Sequence, residues 1–134
     1  MKQTKLFLAS LLAITIIAFA SLVANPALAG EKVASGTFVG KSDHITSGTV
    51  TIKKYGDKYV VYLGDDFSLD GAPAPTVGFG TNGKFDKATD FAKLKSISGK
   101  QKYELPANID VSAYNEFYIW CRDFSVPLGV AKLN

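Results

Sequence analysis

Downstream of residue 30 the apolar residues of this chain come in short runs, alternating or dense in β-branched and aromatic side chains, and glycine, proline or aspartate clusters end almost every run. That punctuation favours strands of four to eight residues over long helices. "SGTVTIKKY" places Val50 and Ile52 on one face and Thr49, Thr51 and Lys53 on the other. "YGDKYVVYLGDDF" follows after a Gly-Asp turn, which predicts a hairpin from Thr49 to Leu63. "SGTFVGK", "GKQKYELP", "EFYIWCRDF" and "LGVAKL" read as further strands, and the glycine-rich "TVGFGTNG" as a strained or edge strand. About seven or more short strands at this spacing predict an all-β fold, a single antiparallel β-sandwich. One segment has helical spacing, "DKATDFAKLKS", where Phe91 and Leu94 are three apart; it is short enough to be an ordered loop instead. In "DGAPAPT", Pro73 and Pro75 make a rigid connector that cannot be a central strand.

The first 29 residues are of another kind. Lys2 and Lys5 precede an apolar run from Leu6 to Val23, and "NPALAG" follows with Ala27 and Ala29 flanking Leu28. A basic start, an apolar middle and a small-x-small exit are the parts of a secretory signal peptide, with cleavage expected after Ala29. The alternative is an uncleaved anchor, since the run is close to the minimum that spans a bilayer. The organisation expected is therefore a leader at 1–29 and one domain at 30–134, exported to a periplasm, a thylakoid lumen or the outside medium, with no membrane attachment after cleavage. Removing 29 residues from 134 leaves 105, an ordinary domain size.

Without Lys2 and Lys5 the formal charge falls from +3 to +1, with lysines and acids interspersed. Such a surface gives no electrostatic case for nucleic acid as a partner. The sequence has nine Phe, six Tyr and one Trp, enough to build a core without disulfides. It needs to, because Cys121 is the only cysteine and has no internal partner.

Three groups of residues could carry chemistry. In an extended segment Phe117, Ile119 and Cys121 point one way while Tyr118, Trp120 and Arg122 point the other. Cys121 is then either a small hydrophobe of the core or a redox thiol or ligand, with Trp120 as its aromatic neighbour. The only histidine, His44, lies in the polar "KSDHITSG" and is either a solvated loop residue or the partner of Cys121. One cysteine and one histidine cannot build a blue-copper site or a closed zinc site within one chain. The acidic "LGDDFSLD" offers Asp65, Asp66 and Asp70, but lacks the spacing of the familiar calcium loop and reads as solvated turn residues. No phosphate-binding loop, zinc-protease motif or nucleophile elbow occurs.

A single cysteine also argues against a true immunoglobulin domain, which pins its sheets with two. "GTFVGKSDHITSGTVTI", "SGKQKYELP" and "YNEFYIWCRDFSVPLGVAKL" instead resemble the opening, middle and closing motifs of the DM-thirteen domain, an extracytoplasmic module described as an electron-transfer domain. The resemblance runs from about Ser35 to Leu133. It implies a β-sandwich similar in style to DOMON modules, a redox-active cysteine at Cys121 and the family-like histidine at His44. It departs at one place: the family pattern often has Pro-Asp where this chain has Pro75-Thr76. Haem or a metal is compatible with such a domain, although no ligand spacing indicates either.

Two functions are therefore expected of different classes. One is a redox or electron-transfer role centred on the unpaired Cys121, with an unidentified redox partner and Trp120, Tyr118 and Tyr114 nearby. The other is a non-catalytic binding or matrix-associated module that meets a surface component and keeps Cys121 as core.

Overall fold

The computed structural model describes residues 16–18 and 29–134, so the expected leader and its cleavage site fall, but for residues 16–18 and 29, outside the described residues. The strands are β1 (Glu31–Gly40), β2 (Thr46–Ser47), β3 (Thr49–Tyr55), β4 (Lys58–Leu63), β5 (Ser68–Leu69), β6 (Pro75–Thr81), β7 (Lys84–Phe85), β8 (Ala92–Lys93), β9 (Gln101–Glu104), β10 (Glu116–Cys121) and β11 (Val126–Lys132). Two 3₁₀ turns, Lys87–Thr89 and Val111–Ala113, lie between the strands. The protein is all-β, as expected.

Every pairing in the main sheet is antiparallel, and the strand order is β7-β6-β10-β11-β1-β3-β4-β9, with β8 also on β6. The ten-residue β1 joins the two halves: Glu31–Thr37 pair with β3, while Phe38–Gly40 pair with β11. The sheet thereby curls on itself and closes around one core. Val50, Ile52, Val61 and Leu63 from one half meet Val77, Phe79, Phe117, Ile119 and Leu128 from the other. Phe117 sits at the centre, its ring edge-on to Phe79 at 5.2 Å and to Phe38 at 6.2 Å between centroids. Edge-to-face pairs of this kind add to the area burial of the rings.

The Thr49–Leu63 hairpin forms as read from the sequence. Tyr55 pairs with Lys58 across the two-residue Gly56-Asp57 loop, and Gly56 has φ +64°. Glycine at the first loop position with positive φ matches the right-handed twist of the flanking strands. Val50 and Ile52 are fully buried. A small second sheet pairs β2 with β5, Thr46 to Leu69 and Ser47 to Ser68. Thr46 ties it to the main sheet, its hydroxyl donating to Leu128 O at 2.8 Å.

Two expectations are corrected and one left open is resolved. "TVGFGTNG" is no edge strand: β6 lies between β10 on one side and β7 and β8 on the other, and Thr76 to Gly80 are all buried. Its glycines answer to close approach instead. A Cβ on Gly78 would lie 2.7 Å from the Phe85 ring, and one on Gly80 would lie 2.3 Å from the Lys84 carbonyl oxygen and 2.5 Å from the Tyr118 ring. Pro75, read as barring a central strand, begins this one, a position where a missing N–H costs the ladder little. The segment with helical spacing resolves into one 3₁₀ turn capped by Asp86, whose carboxylate accepts from Ala88 N at 3.0 Å, followed by β8. Phe91 and Leu94 nevertheless pack against the core.

The outer face of β10 is also covered. Tyr118, Trp120, Phe85 and Val130 form a second buried cluster, with the Phe85 and Trp120 rings stacked at 4.2 Å. Gly80→Ala should destabilise the fold by about 1–3 kcal/mol, because the added methyl meets backbone and a packed ring rather than a flexible side-chain tip. Urea denaturation measures it, and an unchanged midpoint would refute the close-packing account of these glycines.

Candidate functional site

Cys121 ends β10, where it is opposite Pro75 of β6 and Val126 of β11. The alternation read from the sequence holds: Phe117, Ile119 and Cys121 face the main core, while Tyr118 and Trp120 face the opposite side. The thiol is 1% exposed and donates to the carbonyl oxygen of Pro73 at 3.3 Å. Pro73 and Ala74 themselves are exposed. One thin layer of backbone therefore stands between the sulfur and solvent on that side.

His44 lies in the loop between β1 and β2, folded tightly because Ser42 and Asp43 both adopt left-handed backbone and His44 N donates to Lys41 O at 3.0 Å. Its Nδ1 is 2.8 Å from Asp70 Oδ1. The other carboxylate oxygen of Asp70 accepts from Ile45 N at 3.0 Å, and Asp70 N donates to Ile45 O at 3.1 Å. Three contacts thus bind the His44 loop to the start of the connector that follows β5. The same connector, three residues later, reaches Cys121 through Pro73. Asp70 had read as a solvated turn residue and Pro73 as part of a rigid linker; neither could be assigned from spacing, because Asp70 is 26 positions from His44 and Pro73 is 48 from Cys121.

The remaining candidates are distributed elsewhere. Asp66 accepts from Thr49 N and Thr49 Oγ1, both at 3.0 Å, tying the β2–β3 turn to the loop after β4. Asp65 is exposed. The Trp120 ring stacks on Phe85 across the sheet from the thiol, and Thr76, which stands where the family pattern often has an acid, is buried with its hydroxyl 3.4 Å from Trp120 O. Tyr118 donates to Glu116 Oε2 at 2.7 Å, and burial together with that carboxylate pushes its phenol well above the ordinary range. Tyr114 donates to Asp86 at 2.8 Å, which also raises its phenol. Arg122 forms a two-point ion pair with Asp90 at 2.9 and 3.1 Å, away from Cys121.

Among the described residues no three His, Cys, Asp or Glu side chains gather as a metal would require. Within the protein Cys121 Sγ is engaged by Pro73 O and His44 Nδ1 by Asp70 Oδ1, two separate contacts.

What these features define is an antiparallel sandwich of one curled sheet, with a single thiol at the end of its innermost strand beneath a proline-rich crossing. The family model for electron transfer DM13 matches residues 37–133, most of the chain, and the protein belongs to that family. No curated protein and no solved structure gives a significant match.

Asp70 is held below the usual carboxylate range, first by the Ile45 N–H and then by His44. A depressed carboxylate contributes stability above its unfolded pKa and loses it as pH falls through the folded one. Asp70 should therefore titrate below a free aspartate by carboxyl NMR. In His44→Ala the midpoint should rise only part of the way, since the stronger backbone donor remains. Full recovery of the free value would show that His44, and not Ile45, holds the carboxylate.

Proposed function

We propose that this electron-transfer domain acts outside the cytoplasm and that its redox-active group is the Cys121 thiol. The family supplies the class of activity. The observation that carries the assignment to Cys121 is its placement: the only cysteine is covered, on one side, by an exposed segment held to it through one hydrogen bond. A cysteine kept purely as packing has no need of so thin a cover, and a reactive one needs a route to solvent.

The chemistry follows from the inventory. With no second cysteine, a disulfide can form only with a partner's sulfur. The Cys121 thiolate attacks one sulfur of a disulfide, on a protein or a small molecule, forming a mixed disulfide and expelling the other sulfur as thiolate, which takes up the proton Cys121 gave up. A second thiolate from a reductant then attacks the mixed disulfide, restores Cys121 and carries the disulfide away. His44 holds Asp70, and through it the connector that bears Pro73. Trp120 backs the strand from the opposite face. The 1–29 leader, cleaved after Ala29, would deliver the domain to a compartment where disulfides persist.

A second reading has its own support. A groove of about 970 Å³ runs along the outer face of β1, lined by Lys32, Lys41 and Lys132 with the hydroxyls of Thr37 and Thr51. It would serve a binding module, with Cys121 as core.

Folded protein mixed with a small disulfide should gain one adduct mass, and Cys121→Ser should gain none. The serine variant should lose only about 1 kcal/mol, because its hydroxyl keeps the Pro73 carbonyl as acceptor while losing the apolar contacts of sulfur. A folded wild-type thiol that resists every disulfide and oxidant would leave the binding reading in possession. Intact mass of exported protein should begin at Gly30; a membrane-bound form starting at Met1 would mean an anchor instead.

A further inference from the structure

The segment Gly71–Ala74 differs from everything around it. Main-chain ladders hold β10, β6 and β11 on both sides of Cys121, yet among the described residues this four-residue crossing makes a single hydrogen bond, Pro73 O accepting from the thiol. Pro73 has no N–H to offer. Both ends are fixed. Upstream, Asp70 is tied to the His44 loop by its own N–H and by both carboxylate oxygens. Downstream, Pro75 enters β6, where its carbonyl accepts from Leu94 N at 2.9 Å. Between these anchors lie two backbone positions of unusual conformation, Gly71 at φ +111° and Ala74 at φ +47°. A Cβ on Gly71 would meet nothing within 4 Å, and of the segment Ala72 alone packs against the core, the one apolar contact that opening must break. Ala74 is a non-glycine residue in left-handed backbone immediately before a proline, a combination that costs energy in the closed position and is relieved by turning.

We propose that Gly71–Ala74 is a strap that gates the thiol: closed, it occupies the side from which Sγ would be approached; opened by rotation at Gly71 and Ala74, it bares Cys121 while the sheet stays folded. The inference deepens the redox reading and rests on it for its purpose, though not for its test. The Asp70 clamp sets the fraction open. Loosening it lets the upstream anchor move with the strap, and removing the strain at Ala74 favours closure. A partner's sulfur must displace the Pro73 carbonyl before it can reach Cys121, so the strap protects an unpaired thiol from adventitious disulfides and yields only where binding offsets its closure. It acts as a conformational device and forms no bond to the partner.

The experiment follows the rate at which the folded full-length protein reacts with a chromogenic aromatic disulfide, alongside urea stability of each variant. Asp70→Ala should react about tenfold faster, the scale expected when charge-assisted contacts at one end of a local opening unit are lost. Ala74→Gly should react several-fold slower, because glycine accepts φ +47° without strain. Asp66→Ala, which removes a comparable carboxylate clamp from Thr49 on another loop, should leave the rate near wild type. If reactivity instead follows global stability, with Asp66→Ala accelerating as much as Asp70→Ala for equal destabilisation, the thiol is reached only by unfolding and the strap is refuted. Ala74→Gly reacting as fast as wild type, or faster, would also refute it. The reagent reports access and not electron transfer. A gated thiol that exchanges with no physiological disulfide would end the redox reading and leave the strap standing.

Discussion

Strand β10 is hydrogen-bonded on both edges and buried on both faces, and the rest of the molecule is arranged around that double constraint. Six consecutive residues, Glu116 to Cys121, pair with β6 on one side and β11 on the other, and all six are buried. A strand so placed cannot slip by one residue without exchanging Phe117, Ile119 and Cys121 for Tyr118 and Trp120 at the core. Its polar member shows how completely the surroundings have adapted. Glu116 is buried, and both carboxylate oxygens accept from Gly83 N while Oε2 also accepts from Tyr118. Buried charge survives only with such partners, and these fix the β6–β7 turn against β10.

The rigidity of β10 determines where Cys121 stands but leaves open what covers it. Because β10 ends at Cys121, the sulfur lies where the ladders stop and a crossing segment has to take over. That crossing is built from residues ill suited to a ladder: Pro73 lacks a donor, and Ala74 is in left-handed backbone just before Pro75 opens β6. A thiol held at a register-fixed position beneath a weakly bonded cover has a defined geometry for exchange together with protection at rest. Under the proposed function, this arrangement would connect the fold to the electron-transfer activity of its family.

Much of the pattern was legible from local signals. The Thr49–Leu63 hairpin follows from alternation plus a Gly-Asp turn, and the facing of β10 from period two. Where the reading went astray, a longer-range contact outweighed the local cue. The glycines of β6 look like those of an edge strand until the Phe85 and Tyr118 rings are seen lying over them. Phe91 and Leu94 have helical spacing, yet both reach the core from an extended segment, since β6 offers them open pairing positions at Thr76 and Val77 through β8. Asp70 and Pro73 carried no sign of their roles. A carboxylate that clamps a histidine loop 26 residues away looks, in sequence, like any turn aspartate.

By itself, then, the amino-acid sequence determined an all-β antiparallel domain, its strand hairpin, the inward direction of Cys121 and the want of any internal disulfide, because these depend on residue type, on alternation and on turn chemistry within a few positions. Tertiary structure alone decided that β6 is interior, that Trp120 is stacked on Phe85 across the sheet from the thiol, and that Asp70 and Pro73 bring the His44 loop and Cys121 to one connector. Those outcomes depend on which strands become neighbours when β1 carries the sheet around on itself, and contacts made across tens of residues leave no periodic trace in the chain that makes them.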